Sequence, residues 1–211
     1  VNRKPENVFY SYVNLPEGKM STREGTVVNM DDLLDEAVER ARDEMEERAE
    51  ERERNIENAA ETAEAVGIGA VRYDIVARQA EKPITFRWED ALNFDGQHAP
   101  YIQYVHARTS GILEKADTEP ELVFDALEED EEISLLKKIG ELSAVVEESA
   151  DELAPHKVAT YARELAEFYR ECRVLHDDDE VRRARLALTG AAKNTISASL
   201  NLLGIEAPEA M

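Results

Sequence analysis

The chain has 211 residues, 25 of them Lys or Arg and 47 Asp or Glu, for a formal net charge of −22. Its 43% hydrophobic fraction can bury a core in one large domain or two small ones, which excludes a chain disordered throughout. No apolar run of about eighteen residues occurs and Val1-Asn2-Arg3-Lys4-Pro5 leads into no signal-type core, so a cytoplasmic protein without a membrane partner is expected.

Val8 to Leu15 is rich in aromatic and β-branched residues and stops at Pro16-Glu17-Gly18, which predicts a strand ending in a turn. A glycine-flanked loop follows, Gly18-Lys19-Met20-Ser21-Thr22-Arg23-Glu24-Gly25. Two cations and two hydroxyls directly after a strand suit a grip on phosphate, because a Lys or Arg with hydroxyl and backbone donors meets charge on a nucleotide's phosphates. Composition alone leaves an ordinary basic surface loop equally open.

From Met30 to Val66 apolar residues recur three or four apart, predicting one long amphipathic helix or two in sequence, with a weak stripe at 49–54 as the candidate break. Asp31 or Asp32 can cap its start. Val66-Gly67-Ile68-Gly69-Ala70 fits a helix end with close backbone packing; its spacing matches neither common phosphate-binding fingerprint. Lys82 to Trp88 reads as a short extended segment and Asn93-Phe94-Asp95-Gly96 as a turn, placing a domain boundary there: 1–96 and 97–211. Beyond it, helices are predicted over 100–116, 129–153, 155–174 and 180–203, joined by short acidic linkers, with Gly204 closing the last. The fold class is mainly α, a helical bundle preceded by a part with a short strand, a loop and stem helices.

Carboxylates recur on every segment beside regularly spaced apolar residues, so the charge belongs to solvated faces rather than to an acidic tail. With 17 Arg and only 8 Lys among the cations, adaptation to high intracellular salt is expected. A basic partner would instead require one acidic patch, and the sequence concentrates none.

Cys172 is alone, which excludes an internal disulfide and a Cys-based zinc site, and its place in a helical run favours packing over reactivity. His156 and His176 are too isolated for a metal site and read as surface residues. No metal ligands are assigned.

Lys19-Met20-Ser21-Thr22-Arg23 resembles the KMSK-type signature of class I aminoacyl-tRNA synthetases, in the form used by many arginyl-tRNA synthetases. Four further stretches follow in that family's order: Val66 to Tyr73, Ala91 to Gly96, Ala99 to Arg108, and Leu202 to Met211. Five ordered matches cover nearly the whole chain. The resemblance implies the C-terminal portion of an arginyl-tRNA synthetase, with the KMSK-type loop and stem before Gly96 and the anticodon-binding bundle after it. It further implies that the whole enzyme uses ATP and Mg²⁺ to activate L-arginine and esterifies arginine tRNA, with Lys19, Met20, Ser21, Thr22 and Arg23 at the phosphates. Thr22 stands where the pattern usually has lysine, so the second cation falls to Arg23 or to another part of the enzyme. No HIGH-type motif is present, since the histidines, at 98, 106, 156 and 176, all lie downstream of the loop. A fragment that does not aminoacylate by itself, monomeric and carrying no bound cofactor, is therefore expected.

For tRNA contact, Tyr101, Gln103, Tyr104 and Arg108 open the first bundle helix, where tyrosine can stack on an unpaired base and Gln or Arg can read its edges; packing is the alternative role for each tyrosine. Residues 155–193 hold eight basic and seven acidic residues, positive relative to the rest, with Arg163, Arg170 and Arg173 available for phosphates. The resemblance places Met211 near the anticodon pocket. The alternative function is a non-catalytic synthetase-like module that binds tRNA or a protein partner.

Overall fold

A computed structural model describes residues 7–14, 16, 29–51 and 58–211. Strand β1, Val13–Asn14, pairs in parallel with β2, Ile84–Thr85, through Ile84 N–H to Tyr12 O at 3.1 Å and Phe86 N–H to Asn14 O at 2.8 Å. The strand expected over 8–15 is thus shorter: Phe9, Tyr10 and Tyr12 are exposed and only the last residues find a ladder partner.

Helices α1, Met30–Glu51, and α2, Ala59–Val76, pack along each other. Their interface is built from small residues. Ala37 and Ala41 of α1 and Ala63, Gly67 and Ala70 of α2 are buried, which brings the two backbones close. The glycines expected to end a helix lie inside α2 instead. Gly67 sits on the Ala37 main chain and Gly69 against Gln103 and Ile205, so close packing, rather than termination, explains both. The chain then passes β2 and the one-turn helix α3, Trp88–Ala91, whose Trp88 meets Phe86 edge-on at 4.9 Å.

The rest is a bundle: α4, Ala99–Glu114; α5, Asp130–Gly140; α6, Leu142–Asp151; α7, His156–Glu171; and α8, Asp179–Leu202. Ile102, Val105, Leu135, Leu165, Ile196 and Leu200 fill its core. The helix expected over 129–153 is two helices. At Glu141 the N–H reaches back only to Lys138 O and Ile139 O, and the Tyr161 hydroxyl of α7 adds a second donor to the Lys138 carbonyl at 2.8 Å, supporting the break. The 115–129 connection is longer than expected and includes a 3₁₀ turn, Phe124–Ala126. Between the two halves, Tyr73 of α2 donates to Ala159 O of α7 at 3.0 Å.

Two helix ends share one local geometry. After α8, Gly204 N–H bonds to Asn201 O and Ile205 N–H to Leu200 O, both at 2.9 Å, with Gly204 at φ +70°. After α6, Leu153 N–H bonds to Ala150 O and Ala154 N–H to Ser149 O, with Leu153 at φ 52°. Both are left-handed helix caps, one made with glycine and the other with a branched side chain.

Candidate RNA-facing site

The loop residues Lys19, Met20, Ser21, Thr22 and Arg23 lie outside the described residues. The geometry of the bundle's expected contacts is defined. An open pocket of about 500 Å³ lies between the turn that precedes α4 and the side of α7, lined by Asp95, Gly96, Gln97, Tyr101, Phe168 and Arg170 with Glu167 and Glu171. Tyr101 is 7% exposed, and its buried hydroxyl faces the Arg170 guanidinium. Burial raises the Tyr101 pKa, while the Arg170 guanidinium pulls it the other way. Arg170 keeps 60% of its side-chain surface exposed, and its one ion pair among the described residues, to Glu171, is 3.9 Å long. Phe168 is 40% exposed, an aromatic face beside a cation.

Gln103 departs from the expectation that it reads a base. It is fully buried, and its amide nitrogen donates to Ala65 O at 3.1 Å and Glu206 O at 2.8 Å, so no base edge reaches it in this conformation. Tyr104 is half-buried and Arg108 exposed, one turn apart on α4. Arg163 is held by Glu167 at 2.9 Å and Glu164 at 3.6 Å, which leaves it poorly placed for a phosphate. Arg182, Arg183, Arg185 and Lys193 are likewise engaged with carboxylates. Arg173 is exposed just past α7 and forms no ion pair with the described residues. Tyr101 and Arg170 therefore meet at one pocket, whereas Gln103 and Arg163 serve the fold around it.

Met211 packs against the cluster formed by Ala41, Met45, Ala63, Val66 and Phe94 rather than fraying. Phe94 leads into Asp95 and Gly96 at the pocket rim, and Arg48 holds that turn, with its guanidinium 4.8 Å from the Phe94 ring centre and a 2.8 Å hydrogen bond to Asp95. Asp95 also raises the Arg48 pKa.

Phe168 was not singled out from the sequence, although a signal existed. The buried stripe of α7 runs through Val158, Tyr161, Ala162, Leu165 and Tyr169, and Phe168 is an aromatic residue off that stripe. Cys172 packs as expected, with burial pushing its thiol pKa up to about 11. Among the described residues no group of three or more His, Cys, Asp or Glu could hold a metal ion, and no helix is long and apolar enough to cross a membrane.

Residues 102–211 match the DALR anticodon binding domain family, and residues 10–88 match the tRNA synthetases class I (R), catalytic domain family. The arginine–tRNA ligase of Haloarcula marismortui is 54% identical over 215 residues, covering 97% of this chain, and that of Methanocella arvoryzae is 53% identical over 213 residues, covering 99%. The chain spans 37% of the length of each of these relatives. The Thermus thermophilus arginyl-tRNA synthetase structure superposes with a TM-score of 0.86 at 33% identity, covering 96% of this chain and 35% of that one. With a helical bundle of this topology behind a class I catalytic segment, the chain belongs to the arginyl-tRNA synthetase family, of which it carries the DALR anticodon-binding domain and part of the catalytic domain.

Proposed function

We propose that this chain is the tRNA-engaging C-terminal part of an arginine–tRNA ligase. The complete enzyme uses ATP with Mg²⁺ to activate L-arginine and transfers it to arginine tRNA. Residues 1–96 supply the KMSK-type loop, with Lys19, Ser21, Thr22 and Arg23 offered to the phosphates of ATP, and residues 97–211 bind the anticodon arm. Separated from the adenine and arginine pockets, the chain binds tRNA without charging it, and it works as a monomer in a salt-rich cytoplasm.

The observation that carries this reading is the pocket at Tyr101. The buried Tyr101 hydroxyl beside the Arg170 guanidinium, an exposed aromatic face at Phe168 and a weakly ion-paired cation at Arg170 converge on one opening in a strongly acidic chain. Base stacking needs the aromatic face, and edge or phosphate recognition needs the hydroxyl and the cation. Tyr104 and Arg108 follow Tyr101 along α4, Arg173 follows Arg170 just past α7, and Met211 packs against the cluster that holds Phe94.

Fluorescence anisotropy with a labelled arginine-tRNA anticodon stem-loop tests this in the 211-residue chain. Arg170→Gln should weaken binding by about tenfold, a loss of ~1.4 kcal/mol. Arg163→Gln, which removes a cation already held by Glu164 and Glu167, should change it by less than about twofold. Equal losses in both variants, or none in either, would overturn the assignment of the pocket.

A further inference from the structure

Beyond Gly204 the chain runs back across the bundle as an irregular segment, so its carbonyls lack ladder partners and need side-chain donors. Ile205 is buried in the bundle core. Gln103 then uses its amide nitrogen twice, donating to Glu206 O in the tail and to Ala65 O in α2. His106, 1% exposed, donates from Nδ1 to Pro208 O at 2.9 Å, which fixes its tautomer. Lys193 pairs with Glu209 at 2.6 Å, and Met211 reaches the cluster that holds Phe94. Gly69 leaves room for this crossing, since a Cβ there would lie 2.9 Å from Gln103 Nε2.

The Gln103 amide oxygen is buried and finds no partner among the described residues. A side chain that leaves its own acceptor unpaired is held in place for its two N–H groups, because an apolar residue of the same shape would avoid that desolvation cost. The grip falls on main-chain carbonyls, so it sets the register of the tail. Register decides whether the Met211 side chain reaches the cluster that holds Phe94, and Phe94 precedes the two residues that form the pocket rim.

We propose that Gln103 and His106 are positioning residues for the RNA-facing pocket: they hold residues 205–211 as a strap whose end braces the Asn93–Gly96 turn against α1. The RNA half of this inference rests on the reading of the pocket given above; the bracing half does not. Gln103→Met removes both donors at nearly constant volume. In the 211-residue chain it should speed amide hydrogen exchange at Phe94, Asp95 and Gly96 by about tenfold and weaken the anticodon stem-loop by about tenfold, with helicity retained. Removal of residues 208–211 should do the same, and joining the two changes should add little, because both release one strap. His106→Asn, which keeps an N–H donor, should stay near wild type.

Unchanged exchange at 94–96 in a folded Gln103→Met chain would overturn the bracing, as would additive losses in the double change. If Gln103→Met fails to fold, the chain lacking 208–211 decides by the same exchange measurement. A wild-type chain that ignores the stem-loop would refute the pocket reading while exchange at 94–96 still decides the strap. Unaltered affinity in a chain whose 94–96 amides exchange faster would overturn the link between the strap and RNA.

Discussion

A Cβ built on Gly67 would lie 2.7 Å from the main-chain carbonyl carbon of Ala37, closer than any side chain can approach a backbone. The contact is between two helix backbones, so neither partner can rotate away. Gly67→Ala should lose about 2 kcal/mol or more, although alanine gains ~1 kcal/mol in helix propensity. Gly190 inside α8 has open space around its Cβ position. Gly190→Ala should therefore gain about 0.5–1 kcal/mol. Urea unfolding at constant KCl measures both.

The paired helix caps give opposite expectations for one type of exchange. Leu153 occupies a left-handed position that penalises a branched side chain, so Leu153→Gly should stabilise α6 by up to about 1 kcal/mol, offset in part by the lost packing of a half-exposed leucine. Gly204→Ala should destabilise by about 1–2 kcal/mol and push the Arg72 guanidinium off the Gly204 carbonyl. Thermal melts of the two variants should move in opposite directions.

Salt should stabilise the fold. The exposed face of α1 carries most of its carboxylates, and the ion pairs that salt would weaken are mainly exposed pairs of small value. Screening of repulsion therefore exceeds the loss of attraction, and the Tm should rise from dilute buffer to molar KCl. A melting temperature that holds steady or falls over that range would remove the high-salt reading.

Acid should act through His106. Burial holds its pKa below the ordinary value of 6.5, opposed by the bond to Pro208 and by Glu209, with Lys193 adding to the depression. Well above pH 6.5 the imidazole is neutral in both folded and unfolded chains. As pH falls below that value the unfolded chain takes the proton first, so stability is lost. The same direction holds for His98, which is lowered by burial against Asp74 and Asp90. In molar KCl, His106→Asn should lose less stability than wild type between about pH 7.5 and pH 5.5. Parallel urea midpoints for the two proteins would show that His106 does not titrate on unfolding.

The helices were legible where an apolar stripe and a capping residue agree. Asp178 before α8 accepts from Glu180 N–H and Val181 N–H, and Gly204 closes that helix, so both ends could be read locally. The break at Glu141 could not, because what stabilises it is a hydroxyl supplied by Tyr161, twenty residues away in sequence. The same limit applies to the site. Tyr101 and Arg170 share a pocket through the packing of α7 on α4, whereas the pattern around Gln103 looks like a recognition helix and says nothing of the tail that occupies its donors. Polar residues on a binding helix and polar residues that hold its scaffold share one composition. Only long-range contacts separate them.

The short parallel pairing of Val13–Asn14 with Ile84–Thr85 has a mechanical corollary. The stretch 15–29, which contains Lys19 to Arg23, begins at a strand tied to the segment after α2 and ends at a helix packed along α2. Both of its ends are therefore anchored to one body. That body is also fastened to the bundle, by Tyr73 on Ala159 and by Gln103 on Ala65. A displacement of the bundle that carries α2 with it would shift both anchors, β1 and α1, together. Helix α2 is thus a shared axle, with the bundle fastened to it through Tyr73 and Gln103 and helix α1 packed along it.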